Sequence, residues 1–318
     1  MLFRSGDKQK KITTKHFKQW VSETSNANFT KKGEELTERF TKWKNNTEQR
    51  LIVLTSVQMN TLSTVLPTNI DEVIAHLDNI VSACEVRGSR MGYFPAMYNR
   101  VTRQVKQRII DGSFEDNERM ERFDVIFANR YLEAYYAYAQ HKPCSQSWKI
   151  TFDASKKWSP MVIQHLIASM NAHICLDLGI SAAETETQNL ASLKNDFEQV
   201  NDILDSLIEE VESELREIFH PLTTFDKITG NSYWPIAHLG IVKSRNDAWH
   251  VAEAYAQLQT EKERHIFVHM RDHHVAVIGK RILTPPKLVK LLVGKLRNFE
   301  KGTVADKVRI LNRTLVPR

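Results

Sequence analysis

The sequence predicts an all-α protein: a single multi-helix bundle built around a buried central helix at about residues 161–178. Three observations predict it. Only eleven glycines and nine prolines punctuate the 318 residues, about half the usual share and too few breakers for many short strands. Apolar residues recur at spacings of three and four over long stretches, and no segment shows the strict apolar–polar alternation of a half-buried strand. At 42% hydrophobic and 26% charged residues, the composition is that of a globular chain with a sizeable core, which excludes disordered and collagen-like classes.

Taken in order, the first helices are expected from Lys8 to about Thr24 and from Lys32 to about Leu54. A third runs from Asp71 to Arg87, opened by Thr68 or Asn69, whose side chains can accept from free N–H groups, and stopped by Gly88, which tolerates a left-handed backbone. Tyr93 to Ile110 follows, closed by Asp111-Gly112, then a long aromatic-rich helix from about Asp116 to Ala139, closed before Pro143. After Ser159-Pro160 comes the run MVIQHLIASMNAHICLDL, ended by Gly179. Its apolar members occupy most of the circumference, the mark of a helix buried on nearly all sides. From Leu190 to Ile218 a 3–4 spacing predicts an amphipathic helix with one packing seam and an acidic outer face. His220 to Leu239, with Pro221, Gly230, Asn231 and Pro235, reads as a loop, and two or three further helices follow, bounded near Pro285-Pro286. No linker-like stretch marks a seam, so 1–318 is expected as one helical domain, with 286–318 a basic C-terminal helix and tail.

The formal net charge of +6 is concentrated at the ends: residues 1–50 hold 12 Lys+Arg against 6 Asp+Glu, and residues 280–318 hold 11 against 2. Neither end interleaves aromatics with base-reading residues in a nucleic-acid motif, so these are expected to be solvated faces, with no nucleic-acid partner. The three cysteines form no CxxC, the N-terminus has no apolar leader, and no run of 18 apolar residues is present. A cytoplasmic protein without a transmembrane segment is the expectation.

Polar residues on the central helix carry the chemistry. At 100° per residue, His165, Ser169, His173 and Asp177 share one stripe spanning about 120° of arc, with His173 and Asp177 one turn apart. An imidazole and a carboxylate so placed can chelate one metal ion, share a proton, or simply satisfy one another in a structural network. Gln164, Asn171 and Cys175 form a second polar patch. On the helix from Asp116, Asp124 shares a stripe with Tyr131, Tyr135 and Tyr138, with Asn129 and Arg130 nearby. Asp124 is expected either to pair with Arg130 or Arg100 or to act as a ligand or general base, with Arg130 holding an anionic group. Glu261, His265, His269 and His273 are also spaced by four, but in a strongly charged segment that reads as a solvated surface stripe. No Gly-rich phosphate loop, GxSxG, HExxH or GxGxxG occurs, which removes the main supports for kinase, serine-hydrolase and Rossmann functions.

The segments GYFPAMYNRVTRQVKQRIIDGSFEDNERMERFDVIFANRYLEAY (92–135), SWKITFDAS (147–155), QHLIASMNAHICLDLGISAA (164–183), NDFEQVNDIL (195–204) and SRNDAWHVAEAYA (244–256) resemble a bacterial family known only as a domain of unknown function. The resemblance covers most of 92–283 and leaves 1–90 as a helical extension. It implies an all-helical fold and selects His165, Asn171, His173, Asp177, Asp124, Asn129 and Arg130, while supplying no reaction. HxxxD on a buried helix is also similar to a fragment of the zinc-dependent phospholipase C and P1-nuclease architecture, an analogy for metal-assisted hydrolysis.

Together these readings predict a helical enzyme, a metal-dependent hydrolase of an ester or phosphoester. His173, Asp177 and Asp124 would be catalytic; His165, His173 and Asp177 would hold a divalent zinc or iron; Arg130, Asn129, Asn171 and Tyr131 would contact the small-molecule substrate. The alternative is a non-catalytic helical module that binds a small molecule or partner, its polar groups forming a buried structural network.

Overall fold

The computed structural model describes residues 65–219 and 233–313, which lie in the second of the two compact units into which the chain divides, Leu62–Arg318. The helices expected before Leu54 and residues 220–232 fall outside the described residues. Among the described residues the fold is all-α, and the sole extended pairing is an isolated bridge between Phe219 and Glu300.

The sequence signals set the first helices where expected. Helix α1, Ile70–Arg87, starts at Asn69, whose side chain accepts from Glu72 N, and stops at Gly88 with φ of 61°. Helix α2 is Tyr93–Ile110 and α3 is Asn117–Ala139, capped by Asp116. Helix α4, Gln146–Ser155, has no counterpart in the expected elements. The central rod has three segments: α5, Val162–Ala172; a π segment, His173–Leu178; and α6, Gly179–Thr185. After a short 3-10 turn come α7, Lys194–Ile218, then α8, Tyr233–Ala256, α9, Glu261–Leu283, α10, Lys287–Arg297, and α11, Val304–Leu311.

Two expectations are corrected. Gly179 does not end the central helix, because the position is a crossing point: a Cβ there would sit 2.9 Å from Val251 Cβ and collide with the Ala248 carbonyl of α8. Glycine is used for close approach, not for termination. Residues 233–239, expected as loop, open α8 instead, and Pro235 is tolerated because a first-turn N–H has no intrahelical acceptor to lose. Gly179→Ala should lower stability by about 1–3 kcal/mol or more, the cost of overpacking against backbone. Chemical denaturation of the variant checks this; an unchanged midpoint would show that α8 yields at the crossing.

By length and hydropathy Val162–Thr185 is long and apolar enough to cross a membrane, and 72% of an apolar 18-residue stretch within it is buried inside the fold. Its partners are protein: α2, α4 and α9 pack against α5, α3 packs against the π segment and α6, and α8 covers the π segment and α6.

Remote carboxylates hold N–H groups at the starts of α4 and α5 and just ahead of α3. Asp272 of α9 accepts from Gln146 N (2.7 Å) and Ser147 N (2.9 Å) at the start of α4. Asp196 of α7 accepts from Glu115 N (2.7 Å) and Asp116 N (3.2 Å) ahead of α3, and Glu300 accepts from Val162 N (2.7 Å) on α5. Each satisfies N–H groups that a helix cannot satisfy itself.

Candidate functional site

The polar residues of the central rod separate into three environments. From His173 to Leu178 the rod is a π segment, so the 100° per residue on which the single stripe is drawn does not hold there. His173 faces one cavity, His165 another, and Asp177 an ion-pair network.

His173 is buried among aromatic rings, stacked on Phe127 with ring centroids 3.7 Å apart and edge-on to Tyr98 at 4.5 Å and Phe94 at 5.2 Å. Neither ring nitrogen has a hydrogen-bond partner, so the expected bond to Asp177 is not made. Burial pushes its pKa well below the ordinary histidine value, which keeps the imidazole neutral. On α3, Asp124 is buried with Oδ2 unpartnered. The two arginines expected as its partners are committed elsewhere: Arg100 to Glu214 (2.7 Å) and Glu210, Arg130 to Asp177 and Glu184. Burial first, then the neighbouring Glu121 charge, push the Asp124 carboxyl up to about 7.

Asp124 and His173 line one cavity of about 80 Å³, walled chiefly by Phe94, Val101, Phe123, Phe127, Ile174 and Val200, with Tyr98 and Arg245 also at its surface. A single water needs about 10–15 Å³ of such space, so several waters or a few non-hydrogen atoms fit. Arg245 is itself buried, its guanidinium donating to Asn201 Oδ1 and the Phe197 carbonyl.

The second hollow, about 10 Å³, is lined by His165, Tyr131, Tyr93, Arg90 and Ser169 among others. His165 Nε2 and the Tyr131 hydroxyl have no partner, and burial, then Arg90 and Arg297, push the imidazole down to about 3.

Asp177, 2% exposed, accepts from Trp148 Nε1 at 2.7 Å and from Arg130 Nε at 3.3 Å. Burial raises its carboxyl to about 6, with Arg130 and Trp148 opposing the rise, so it is ionised at neutral pH. Arg130 also reaches Glu184 (3.3 Å), which accepts from the Tyr255 hydroxyl (3.2 Å), and the chain of bonds ties α3, α4, the π segment, α6 and α8 together. Asn129 donates to the Pro67 carbonyl ahead of α1, and Asn171 to that of Val275 on α9, both at 3.0 Å, and neither lines the larger cavity. His265, His269 and His273 lie exposed on α9. Among the described residues no group of three His, Cys, Asp or Glu side chains is placed to hold a metal ion, and His165, His173 and Asp177 do not share a centre.

A match to a family of unknown function, DUF5995, runs over residues 70–285. The chain belongs to that family. The matched region reaches back to α1, beyond the quoted motifs, and stops before α10. No curated protein and no solved structure matches the chain.

Sequence reasoning missed Tyr98, Phe127 and Arg245 at the cavity and Trp148 and Glu184 in the network. Arg245 and Trp148 lie within the segments SRNDAWHVAEAYA and SWKITFDAS, so the signal was present in this DUF5995 chain, but an isolated aromatic or arginine has no spacing that assigns it a partner.

Proposed function

We propose that this DUF5995 protein binds a small, mostly apolar molecule in the larger cavity and orients its polar end with Asp124 and His173. The observation that carries this is the meeting of unpartnered, deeply buried polar residues with empty space: Asp124, whose Oδ2 has no partner, and His173, neither of whose ring nitrogens has one, both line the same apolar-walled cavity of about 80 Å³. An unmade hydrogen bond at a buried polar atom costs about 1–3 kcal/mol, so a ligand that makes those bonds recovers the loss. A neutral imidazole offers one donor and one acceptor, and a protonated Asp124 offers a donor, which suits a hydroxyl or carbonyl on an aliphatic or aromatic body.

The test uses ethanol and 2-propanol as polar-ended probes and xenon as an apolar control. The alcohols should raise the thermal midpoint of the wild type more than xenon does, and Val101→Phe, which fills the cavity, should abolish the rise without unfolding the protein. No shift with any probe would remove the reading.

A second reading is favoured by Asp124 alone. A carboxyl held near neutrality beside a neutral imidazole is suited to proton transfer, so the bound molecule would be a substrate, and hydrolysis of a small ester by general acid–base assistance is its concrete form. The metal-assisted form draws no support from the separated positions of His165, His173 and Asp177.

A further inference from the structure

The corner where the α4–α5 loop meets the end of α10 is built from two distant segments. Arg297 donates from Nε to the Trp158 carbonyl at 3.1 Å, and its guanidinium lies 5.3 Å from the Trp158 ring centroid. Glu300 joins the same corner by accepting from Val162 N and pairing with Arg297 (2.6 Å) and Lys307 (2.8 Å). These internal groups, two cations on one carboxylate, leave a net positive charge, and the outside holds Trp158 at 55% exposure and Phe299 at 56%, large values for such rings. Around them Lys156, Lys157, Lys295 and Lys301 are exposed. The nearby carboxylates are occupied: Glu300 as above, Asp153 by Lys149 and Tyr138, and Asp306 by Thr303 and Arg309.

We propose that this corner docks on an anionic lipid bilayer, with Trp158 and Phe299 entering the headgroup layer and the lysines resting on lipid phosphates and carboxylates. Indole rings favour the membrane–water interface, where an apolar body meets a polar edge, and lysines beside them gain from the negative surface potential. Charge complementarity selects an anionic surface. One face of Trp158 is already covered by the Arg297 guanidinium, which leaves its rim for insertion and weakens it as a platform for stacked bases, so lipid is favoured over single-stranded nucleic acid. The proposal is independent of the cavity reading and uses residues on both sides of the family boundary at 285.

The experiment is co-sedimentation of the full chain with vesicles of phosphatidylcholine alone and of phosphatidylcholine mixed with phosphatidylserine. Binding is expected only to the mixed vesicles and should fade as salt is raised. Lys157→Glu/Lys301→Glu should weaken it about tenfold or more, and Trp158→Ala should weaken it at unchanged helical content by circular dichroism. All three residues are exposed, so the variants keep the fold. Failure to bind mixed vesicles, equal binding to both compositions, or binding unaffected by either variant overturns the proposal. Capture of an oligouridylate by the wild type but not the variants, without vesicle binding, overturns it in favour of nucleic acid.

Discussion

Asp124→Asn should make the protein more stable above pH 7 and change little near pH 4. In the folded protein the Asp124 carboxyl is pushed up to about 7, whereas in the unfolded chain it titrates near the ordinary value of about 4. Between those values the folded state holds a proton that the unfolded state has released, so stability falls as pH rises, by about 1.4 kcal/mol per unit and about 4 kcal/mol in all. The folded-state benefit is therefore complete below about pH 4, and it is lost once pH exceeds the raised pKa. Asparagine has no proton to lose, so its curve lacks this fall. Urea titrations of both proteins at pH 4, 6 and 8 measure the difference; parallel curves would show that Asp124 ionises freely. The same substitution should weaken the alcohol probes, so stability and binding move in opposite directions, as expected where a polar group is retained for function.

Asp177→Asn carries the opposite sign at neutral pH. Asp177 is an ionised acceptor for two donors, Trp148 Nε1 and Arg130 Nε. An amide keeps one acceptor oxygen and turns an NH₂ toward the other donor. Arg130, whose side chain is 22% exposed, keeps Glu184 as a partner, and removing a carboxylate that burial has raised to about 6 offsets part of the cost of breaking a buried ion pair, so the expected loss is about 1–3 kcal/mol. Arg130→Gln added to Asp177→Asn should recover part of it, because the stranded charge is then gone. Denaturant curves of the two single variants and the double variant give the coupling directly. A stable Asp177→Asn protein would mean that the network is dispensable and that Asp177 is held for another purpose.

How legible these features are depends on whether their cause is local in sequence. Helices α1 and α3 carry their own N-caps, Asn69 and Asp116, and α1 its own Gly88 stop, so their bounds follow from the chain. Helix α4 is hidden because Ser145 makes no side-chain cap bond and the capping carboxylate is Asp272, on another helix. Gly179 misleads for a related reason: the same residue type serves a left-handed stop and a close crossing, and only the position of Ala248 tells them apart. In the site, the two polar stripes identify Asp124 on one helix and His165, His173 and Asp177 on another as unusual, but an α-helical wheel cannot show that a π segment starts at His173 or that Asp177 bonds Trp148 in place of His173. The aromatic walls stay invisible for a simpler reason, since Phe94, Tyr98 and Phe127 have the pattern of any packed core.

The borrowed caps have a consequence for the order in which the chain can settle as it is made. A ribosome delivers α3 some eighty residues before Asp196, α4 well over a hundred before Asp272, and α5 still further ahead of Glu300. Until those acceptors arrive, the N–H groups at the starts of α4 and α5 and just ahead of α3 are left to water. The last lock on the central rod is thus supplied by a residue beyond the stretch that defines the family, and a nascent chain released at residue 285 would carry every wall of the cavity but leave the Val162 N–H without its acceptor.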